Sequence, residues 1–494
     1  MAGKHVVILG AGFSHAISNK MPLTDELGRQ AFARINPTNG FSGQSVARPS
    51  LGESFNFERW LTLLSEDQPQ LREAENLGNA ELFAQLRDAI AEILVDAQSL
   101  VLRDEAPPWL YEFVSALHAF RATIITFNYD SLVETALASH SIWDPSIDGG
   151  RYVDPGDVLQ DLPPLSSTGR QGPTFGRNPL DTLRLLKLHG SIDWWAVPKD
   201  LTGATLNRED VTSRFMAPQP MTPEQRRLQM PGRERFIVPP LSAKSAYYRQ
   251  PLIRELWQQA REELRTASRI SLVGYSLPPT DLVMASMLGE ALAEGSVVVD
   301  LINPAANDLR DRVIELGADK DRLSLVDGDQ CVATFARATC NEASKVLADR
   351  LKTTLAPENL DAHLRVAWAN PRAEGEAVRR VTGVAVNPDG VLELDLHDDN
   401  PPRKSTDAQF DQTGAPATPT LPTGVDVVNL NCEFTRIVAR DGDVEHILMT
   451  AWPEGMTVGA GSGRWITFVP ADPGSREGAS IRSIRSRMAT CAEF

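Results

Sequence analysis

The chain has 494 residues, 42% of them hydrophobic and 23% charged, enough for two or three packed domains at roughly 100–200 residues each. Its net charge of −16 excludes a surface that coats nucleic acid generally, because phosphate binding needs a basic footprint. No stretch reaches the roughly 18 consecutive apolar residues of a membrane span, and no basic-then-apolar leader precedes the first apolar run, so a cytoplasmic protein is expected.

In chain order, HVVIL is a short β-type run ending at Gly10, with helical sequence expected from about Ser14 to Asn19. MPLTDELGRQAFARI predicts a second helix with Thr24 as N-cap and Asp25 and Glu26 in its first turn. Residues 55–65 and 80–103 repeat helical spacing (Phe57, Trp60, Leu61, Leu64, then Leu82, Leu86, Ile90, Ile93, Leu94), which predicts helices covering a sheet. ATIITF (122–127) reads as a buried strand and SLVETALASH as the helix after it. Pro, Gly, Asp and Ser crowd residues 144–181, predicting a long loop or insertion before LLKLHG, and residues 196–236 are similarly irregular. Loops beyond about 15 residues are often lids or interaction elements. Arg226, Arg227, Arg233 and Arg235 form a local basic patch there, read as a solvated loop, so nucleic acid is expected to bear on this protein only indirectly. A helix over 249–267 leads into the strand RISLVGY, and VVVDLINP (297–304) and LSLVDGD (323–329) read as further strands.

The character changes after about residue 335, which suggests domains at 1–335 and 336–494. Residues 341–369 look helical. RRVTGVAVNPDGVLELDLHD reads as two alternating strands turning at Asn387-Pro388-Asp389-Gly390. Residues 399–424 have the composition of a mobile loop. A second hairpin is expected to turn at Arg440-Asp441-Gly442-Asp443, with GRWITFVP as a fifth strand. No chemical motif falls in this β-rich region, which suits assembly or partner recognition.

The chemistry concentrates in four segments: HVVILGAGFSHAIS (5–18), IITFNYDSL (124–132), LLKLHGSIDWW (185–195) and ISLVGYSLPPTD (270–281). Each apolar run ends abruptly in Gly, Asn/Asp, His or Ser, as parallel strands do where they deliver ligand-binding loops. Together they fit one nicotinamide-nucleotide site. Gly10-Ala11-Gly12 allows a tight strand-to-helix turn close to a pyrophosphate. The third glycine of the dehydrogenase fingerprint is His15, and no acidic residue follows at the end of a second strand about 20 residues on, which disfavours a plain dehydrogenase. Asn128 offers a donor and an acceptor to a water or a ribose hydroxyl, while Asp130 either accepts from a hydroxyl or holds its loop. His189 is the preferred acid/base group, since its ordinary pKa near 6.5 suits proton transfer at neutral pH. Gly274 permits close approach, and Ser276 can bond a phosphate or ribose. Asp281 could line the same adenosine side but fits best as the N-cap of LVMASMLGEAL. Asn303 fits an adenine-ribose contact or a turn equally.

This order of motifs resembles the sirtuin family: GAG-x-S at Gly10, Gly12 and Ser14, N-x-D at Asn128 and Asp130, HG at His189 and Gly190, G-x-S at Gly274 and Ser276, and a late Asn at Asn303. MPLTDEL, NFERWL, TFNYDSL, LHGSIDW and GYSLPPTD look closer still to the bacterial sirtuin-like branch of antiphage defence. The resemblance covers roughly residues 1–330. It implies a doubly wound, Rossmann-like α/β sheet with helical insertions, and NAD held by Gly10, Ala11, Gly12, Phe13, Ser14, Asp130, Gly190, Gly274, Ser276 and Asn303. His189 and Asn128 are then the catalytic residues. The four cysteines (Cys331, Cys340, Cys432, Cys491) form no C-x2-C pair, so the zinc module of deacetylating sirtuins is absent and no metal is expected. With that module goes part of an acetyl-lysine slot, which makes water the expected acceptor and the products nicotinamide and ADP-ribose. NAD-dependent deacylation and a non-catalytic NAD-binding module in a larger complex are the alternatives. An NAD-depleting defence effector also implies an off state, released through a homo-oligomer or a partner such as a translocase ATPase or an Argonaute-like protein.

Overall fold

The computed structural model describes residues 4–35, 56–140, 143–144, 151–152, 155–159 and 182–355, apart from 199, 201–204, 210–212, 218–221, 243 and 294, and seven strands beyond 355. The chain divides into two compact units, Met1–Ser141 with Val153–Phe335, and Ile142–Tyr152 with Ala336–Phe494.

The first unit starts with β1 (His5–Leu9) and α1 (Ala11–Ile17), followed by α2 (Thr24–Ile35), α3 (Phe57–Ser65), α4 (Glu73–Val101) and α5 (Pro108–Phe120). β2 (Thr123–Thr126) and α6 (Leu132–His140) come next. The small strands β3 (Trp143–Asp144) and β4 (Arg151–Tyr152) belong to the second unit, and α7 (Pro155–Val158) to the first. Then come β5 (Arg184–Lys187), β6 (Gly190–Ala196), β7 (Asn207–Arg208), α8 (Pro223–Gln229), β8 (Glu234–Ile237), α9 (Pro251–Arg265), β9 (Arg269–Val273), α10 (Leu282–Leu292), β10 (Val298–Ile302), α11 (Ala306–Glu315) and β11 (Leu323–Val326). The long α12 (Cys331–Leu355) follows.

Six of these strands form one parallel sheet in the order β11-β10-β9-β1-β2-β5. Numbered along the chain this is 3-2-1-4-5-6 read from the β5 edge, a doubly wound α/β sheet whose winding reverses between β1 and β9. Its inner strands read as continuous apolar runs, as strands covered on both faces must. Val6, Val7, Ile8, Ile124, Ile125, Ile270 and Leu272 have no exposure. Among the covering helices, α9 turns Ile253, Leu256, Trp257, Ala260 and Leu264 inward, a stripe at helical spacing.

Two helix starts differ from the sequence reading. α1 begins at Ala11 rather than near Ser14, because the Phe13 N–H closes its first turn on Gly10 O (2.9 Å). Leu23 O accepts from Leu27 N (2.8 Å), so Leu23 is the N-cap of α2 and Thr24 opens the helix. Within the irregular 196–236 stretch, β6 pairs with β7 and β8 in a small antiparallel sheet. Three of the arginines there have partners within the chain, the exposed Arg227 with Glu92, Arg233 with Thr205 O, and Arg235 with Ile192 O and the Trp195 ring, while the Arg226 side chain lies outside the described residues. Most of the 144–181 segment lies outside the described residues.

At the end of the sheet remote from the strand carboxyl termini, His5 Nε2 meets Ser271 Oγ (2.8 Å), whose own hydrogen goes to Asp300 Oδ2 (2.6 Å). Ser271 therefore accepts and His5 carries its proton on Nε2. Burial, with Arg269 adding to it, lowers the His5 pKa from 6.5 to about 4. The unfolded chain thus takes up this proton more readily than the folded one. The stability contributed by neutral His5 is complete above pH 6.5 and is lost as pH falls toward 4. Urea titrations across that window should show a loss of roughly 3 kcal/mol, a slope that His5→Leu removes; an unchanged slope in the variant would refute the assignment.

The second unit holds β12 (Ala362–Ala367), β13 (Ala377–Val386), β14 (Leu392–His397), β15 (Arg436–Asp441), β16 (Val444–Met449), β17 (Arg464–Pro470) and β18 (Ile484–Ser486). They form one sheet, ordered β16-β15-β14-β13-β12-β17-β18. Helix was expected over 341–369, but α12 ends at Leu355, and Ala362–Ala367 is a strand paired on both sides, with β13 and β17. His363 and Arg365 alternate with Leu364 and Val366, a period of two that favours the strand. β13 and β14 pair antiparallel, as do β15 and β16. The turn at 387–390, the glycine of the second turn and the 399–424 segment lie outside the described residues.

Candidate functional site

The parallel strands stop in register. Leu9 lies beside Thr126 and Val273, Thr126 beside Lys187, Val273 beside Ile302, and Ile302 beside Val326. Gly10, Phe127-Asn128, Leu188-His189, Gly274 and Asn303 therefore emerge at one level along the carboxyl edge of the sheet. All of these but the buried Leu188 border a cavity of about 680 Å³ that takes in the turns after β1 and β9, where the winding reverses. Ala11, Gly12, Ser14, Asp130 and Ser276 also line it. Phe13 and Gly190 do not. Phe13 is buried against Trp109 (5.9 Å) and Phe113 (5.9 Å), which anchors α1 to the helical layer. Gly190 has φ +75°, and a Cβ there would lie 2.4 Å from Phe236 O; it bends the chain from β5 into β6 and leaves His189 on the cavity wall.

The glycines are demanded by the protein's own backbone. Gly12 N–H donates to Gly274 O (2.9 Å) and Gly10 N–H to Val273 O (3.1 Å), clasping the turn after β1 to the turn after β9. A Cβ would sit 2.6 Å from Gly274 O at Gly10, 2.8 Å from Gly274 Cα at Gly12, and 2.2 Å from Phe13 N at Gly274, where φ is +60°. The Gly12 and Phe13 N–H groups are thus already spent at the start of α1. Gly274→Ala is expected to cost more than the roughly 1–3 kcal/mol of backbone strain alone, because the clash is with main chain. Gly328, at φ +82° with no atom within 4 Å of where a Cβ would lie, is the control. Equal losses in urea unfolding for Gly274→Ala and Gly328→Ala would show that the clasp is not tight.

Asn128, Ser14 and Asp130 form a hydrogen-bonded chain. Asn128 Nδ2 donates to Gly10 O (2.9 Å) and to Ser14 Oγ (2.9 Å). Because Gly10 O can only accept, the amide orientation is settled, and both donors are used. Asn128 Oδ1 is left as its acceptor toward the cavity, so the residue supplies an acceptor but not the donor that its chemistry also permitted. Ser14 Oγ donates to Asp130 Oδ2 (2.6 Å), and Asp130 Oδ1 accepts from Leu132 N (3.2 Å). Asp130 thus accepts from a hydroxyl, that of Ser14, and also holds its own loop through Leu132 N. Beneath it, Lys187 reaches Asp130 O and pairs with Glu134 Oε1 (2.9 Å) at 1% and 3% side-chain exposure.

His189 is 5% exposed, and its Nε2 is buried without a partner. Phe127 meets its ring edge-on at 4.9 Å and Tyr129 stacks at 6.2 Å. Its carbonyl accepts from Val238 N (2.8 Å), fixing the backbone. Burial, aided by the nearby Lys244 charge, holds the imidazole pKa well below its ordinary value, so His189 is neutral and able to accept a proton at pH 7. Ser276 is exposed at the rim. Asn303 Oδ1 accepts from Ala305 N (3.0 Å), a local turn bond.

The wall also includes His15, Glu58, Lys244, Tyr275 and Asp281. Sequence reasoning named only Asp281 among them, weighing it for the adenosine side and favouring a helix cap. His15 Nδ1 donates to Met21 O (2.8 Å). Asp281 stands at the N-cap position of α10 yet makes no cap bond; its carboxylate takes Lys244 and the Tyr275 hydroxyl instead. Among the described residues no three His, Cys, Asp or Glu side chains are grouped to hold a metal, and no helix is long and apolar enough to cross a membrane.

Neither a family model nor a curated protein matches the sequence. Solved structures similar to this chain include one described as the structural basis for the mechanism and regulation of Sir2 enzymes, at 11% identity and TM-score 0.30, covering 71% of this chain and 95% of that one. A substituted Sir2 homologue with 2′-O-acetyl ADP ribose has 16% identity and TM-score 0.35, with 69% and 94% covered. A Sir2 homologue–NAD complex has 14% identity and TM-score 0.31, with 69% and 91% covered. At these scores the overlap is loose, and the strand order of the sheet carries the fold assignment by itself.

Proposed function

We propose that this protein hydrolyses NAD to nicotinamide and ADP-ribose. The observation that carries the reading is the convergence of Asn128 Oδ1 and neutral His189 on one cavity, at the winding reversal where doubly wound sheets take their ligands. Cavities of this volume suit small molecules and cofactors. The sugar–nitrogen bond of NAD breaks with nicotinamide as a neutral leaving group, and a water adds to the cationic sugar carbon. Asn128 Oδ1 orients that water or a ribose hydroxyl, and His189 accepts the proton released. The glycine turn, with Ser14 and Ser276, borders the phosphate and adenosine side.

Purified protein incubated with NAD should release nicotinamide and ADP-ribose in equal amounts, resolved by chromatography. Nicotinamide release that depends on an acyl-lysine peptide would instead favour deacylation, and NAD binding without turnover under every condition would favour a non-catalytic module. In this reading residues 1–335 are catalytic and 336–494 serve assembly or partner recognition. The resemblance adds the physiological setting, NAD depletion in antiphage defence by a cytoplasmic protein switched on by self-association or by a partner protein. Mass photometry together with rate against protein concentration tests that switch; concentration-independent activity of a monomer would count against it.

A further inference from the structure

A dinucleotide brings two negative phosphates, and the donors of the glycine turn and its neighbours are already engaged. Gly10 N–H goes to Val273 O (3.1 Å), Gly12 N–H to Gly274 O (2.9 Å), Phe13 N–H to Gly10 O (2.9 Å) and Gly274 N–H to Ile302 O (2.8 Å). The Ser14 hydroxyl hydrogen goes to Asp130, and the two Asn128 N–H donors go to Gly10 O and Ser14 Oγ.

The charges on the cavity wall oppose an anion as well. Asp25 and Glu26 of α2, Glu58, Asp130, Asp281 and Asp329 set six carboxylates against the two cations Arg29 and Lys244, a formal excess of four negative charges. Both cations already face carboxylates. Arg29 Nη1 lies 3.6 Å from Glu26 Oε2, while Lys244 Nζ pairs with Asp281 Oδ1 and lies 3.8 Å from Glu58 Oε1. The Tyr275 hydroxyl donates to Asp281 Oδ2 (2.8 Å).

His15 stands apart from these groups. It borders the cavity half-buried, with Nδ1 on Met21 O (2.8 Å), and no hydrogen bond engages Nε2 among the described residues. Because Met21 O can only accept, Nδ1 carries a hydrogen, and Nε2 of the neutral ring offers a lone pair alone. A phosphate oxygen repels that lone pair. A second proton, on Nε2, turns it into a donor and adds a positive charge. His189 does not supply this charge, since burial holds its pKa well below the ordinary value.

We propose that His15 holds the pyrophosphate of the dinucleotide as an imidazolium, taking up one proton from solvent as the ligand enters. The choice of ligand rests on the proposed NAD cleavage; the contact itself does not depend on the chemical step. Met21 O fixes the ring through Nδ1–H, and Nε2–H makes a charge-assisted hydrogen bond to a phosphate oxygen. Affinity is then highest where His15 is already protonated. It falls as pH rises, because each ligand bound must bring a proton with it.

ADP-ribose is the probe for the full-length protein. Each of its phosphates has one acidic group, ionised throughout, so any proton taken up goes to the protein. Calorimetric titrations between about pH 6 and 8, where histidine ordinarily changes charge, give the slope, and two buffers of different ionisation enthalpy count the protons. Kd should rise about tenfold or more across that range, the weight of one charge-assisted hydrogen bond, with uptake of up to one proton. In His15→Gln, whose amide can still donate to Met21 O, both the slope and the uptake should vanish. A neutral His15 that accepts from a ribose hydroxyl gives a flat or opposite slope in the unaltered protein. A His15 that merely anchors Met21 leaves the slope in place and weakens binding by the same factor at every pH. Either result overturns the inference, as does failure to bind ADP-ribose at any pH. If thermal melts show that His15→Gln is unstable, His189→Ala decides, since it removes the other histidine on the wall: a slope that persists supports His15, and one that disappears refutes it. ADP-ribose bound with this slope by a protein that never cleaves NAD would sink the cleavage reading alone, while cleavage with a pH-flat affinity would sink the inference alone.

Discussion

His189→Ala is expected to lower NAD turnover by about 10²–10⁴-fold while leaving the fold intact, the usual loss when a general acid–base group is removed. Truncation takes away the proton acceptor and opens a small space beside Phe127, but it leaves no charge or donor stranded. The neutral state of His189 also sets the pH response. With its pKa held well below 6.5, the imidazole stays unprotonated as pH falls through 6.5, and the rate attributable to this group declines only in more acidic solution. Asn128→Ala is expected to be as damaging for a different reason. It removes the Oδ1 acceptor and also the Nδ2 bonds that tie this loop to Gly10 O and Ser14 Oγ. Chromatographic rates alongside circular dichroism and thermal melts separate the two effects. A fully active His189 variant would remove it from the mechanism.

Lys187→Met should be the most destabilising single change near the site, by about 3–5 kcal/mol, because it leaves a buried carboxylate without its partner. Glu134 is 3% exposed, and burial already pushes its pKa upward against the pull of Lys187. Without the ammonium the carboxyl must either take up a proton or draw water inward. The double variant Lys187→Met/Glu134→Leu removes both charges and should recover most of the loss. Recovery will not be complete, since Lys187 also donates to Asp130 O and steadies the loop that carries Asn128. Urea midpoints for the two single variants and the double supply the measurement. Additive losses would mean that the pair is not coupled.

Much of this protein is legible from local pattern. The four β-type runs, their abrupt ends and the residues that follow are contiguous, so the sequence alone marks Gly10, Asn128, His189 and Gly274 as ends of buried parallel strands. Helices such as α9 declare themselves by a repeat that any window of that length contains. Where two patterns competed, local reading failed: residues 362–367 follow helical sequence and alternate too briefly to announce a strand, and only pairing on both sides decides them. Register along the sheet is likewise set by partners distant in the chain, more than a hundred residues away for both neighbours of β1, and it is register that brings the strand ends to one level. The glycines show the same division. Their presence is visible in the sequence, but the reason for them, main chain pressed against main chain across the β1–β9 clasp, exists only once the sheet has formed. Phe13 and Gly190 sit within motif-like sequence, yet packing assigns one to the core and the other to a bend. The grouping of Lys244, Asp281 and Glu58 has no signal in the sequence. Asp281 lies 37 positions from one and 223 from the other, no periodicity links them, and from its neighbours it looks like a helix cap. Their meaning depends on a shared low-dielectric wall where each charge needs the others, a condition that only the tertiary fold imposes.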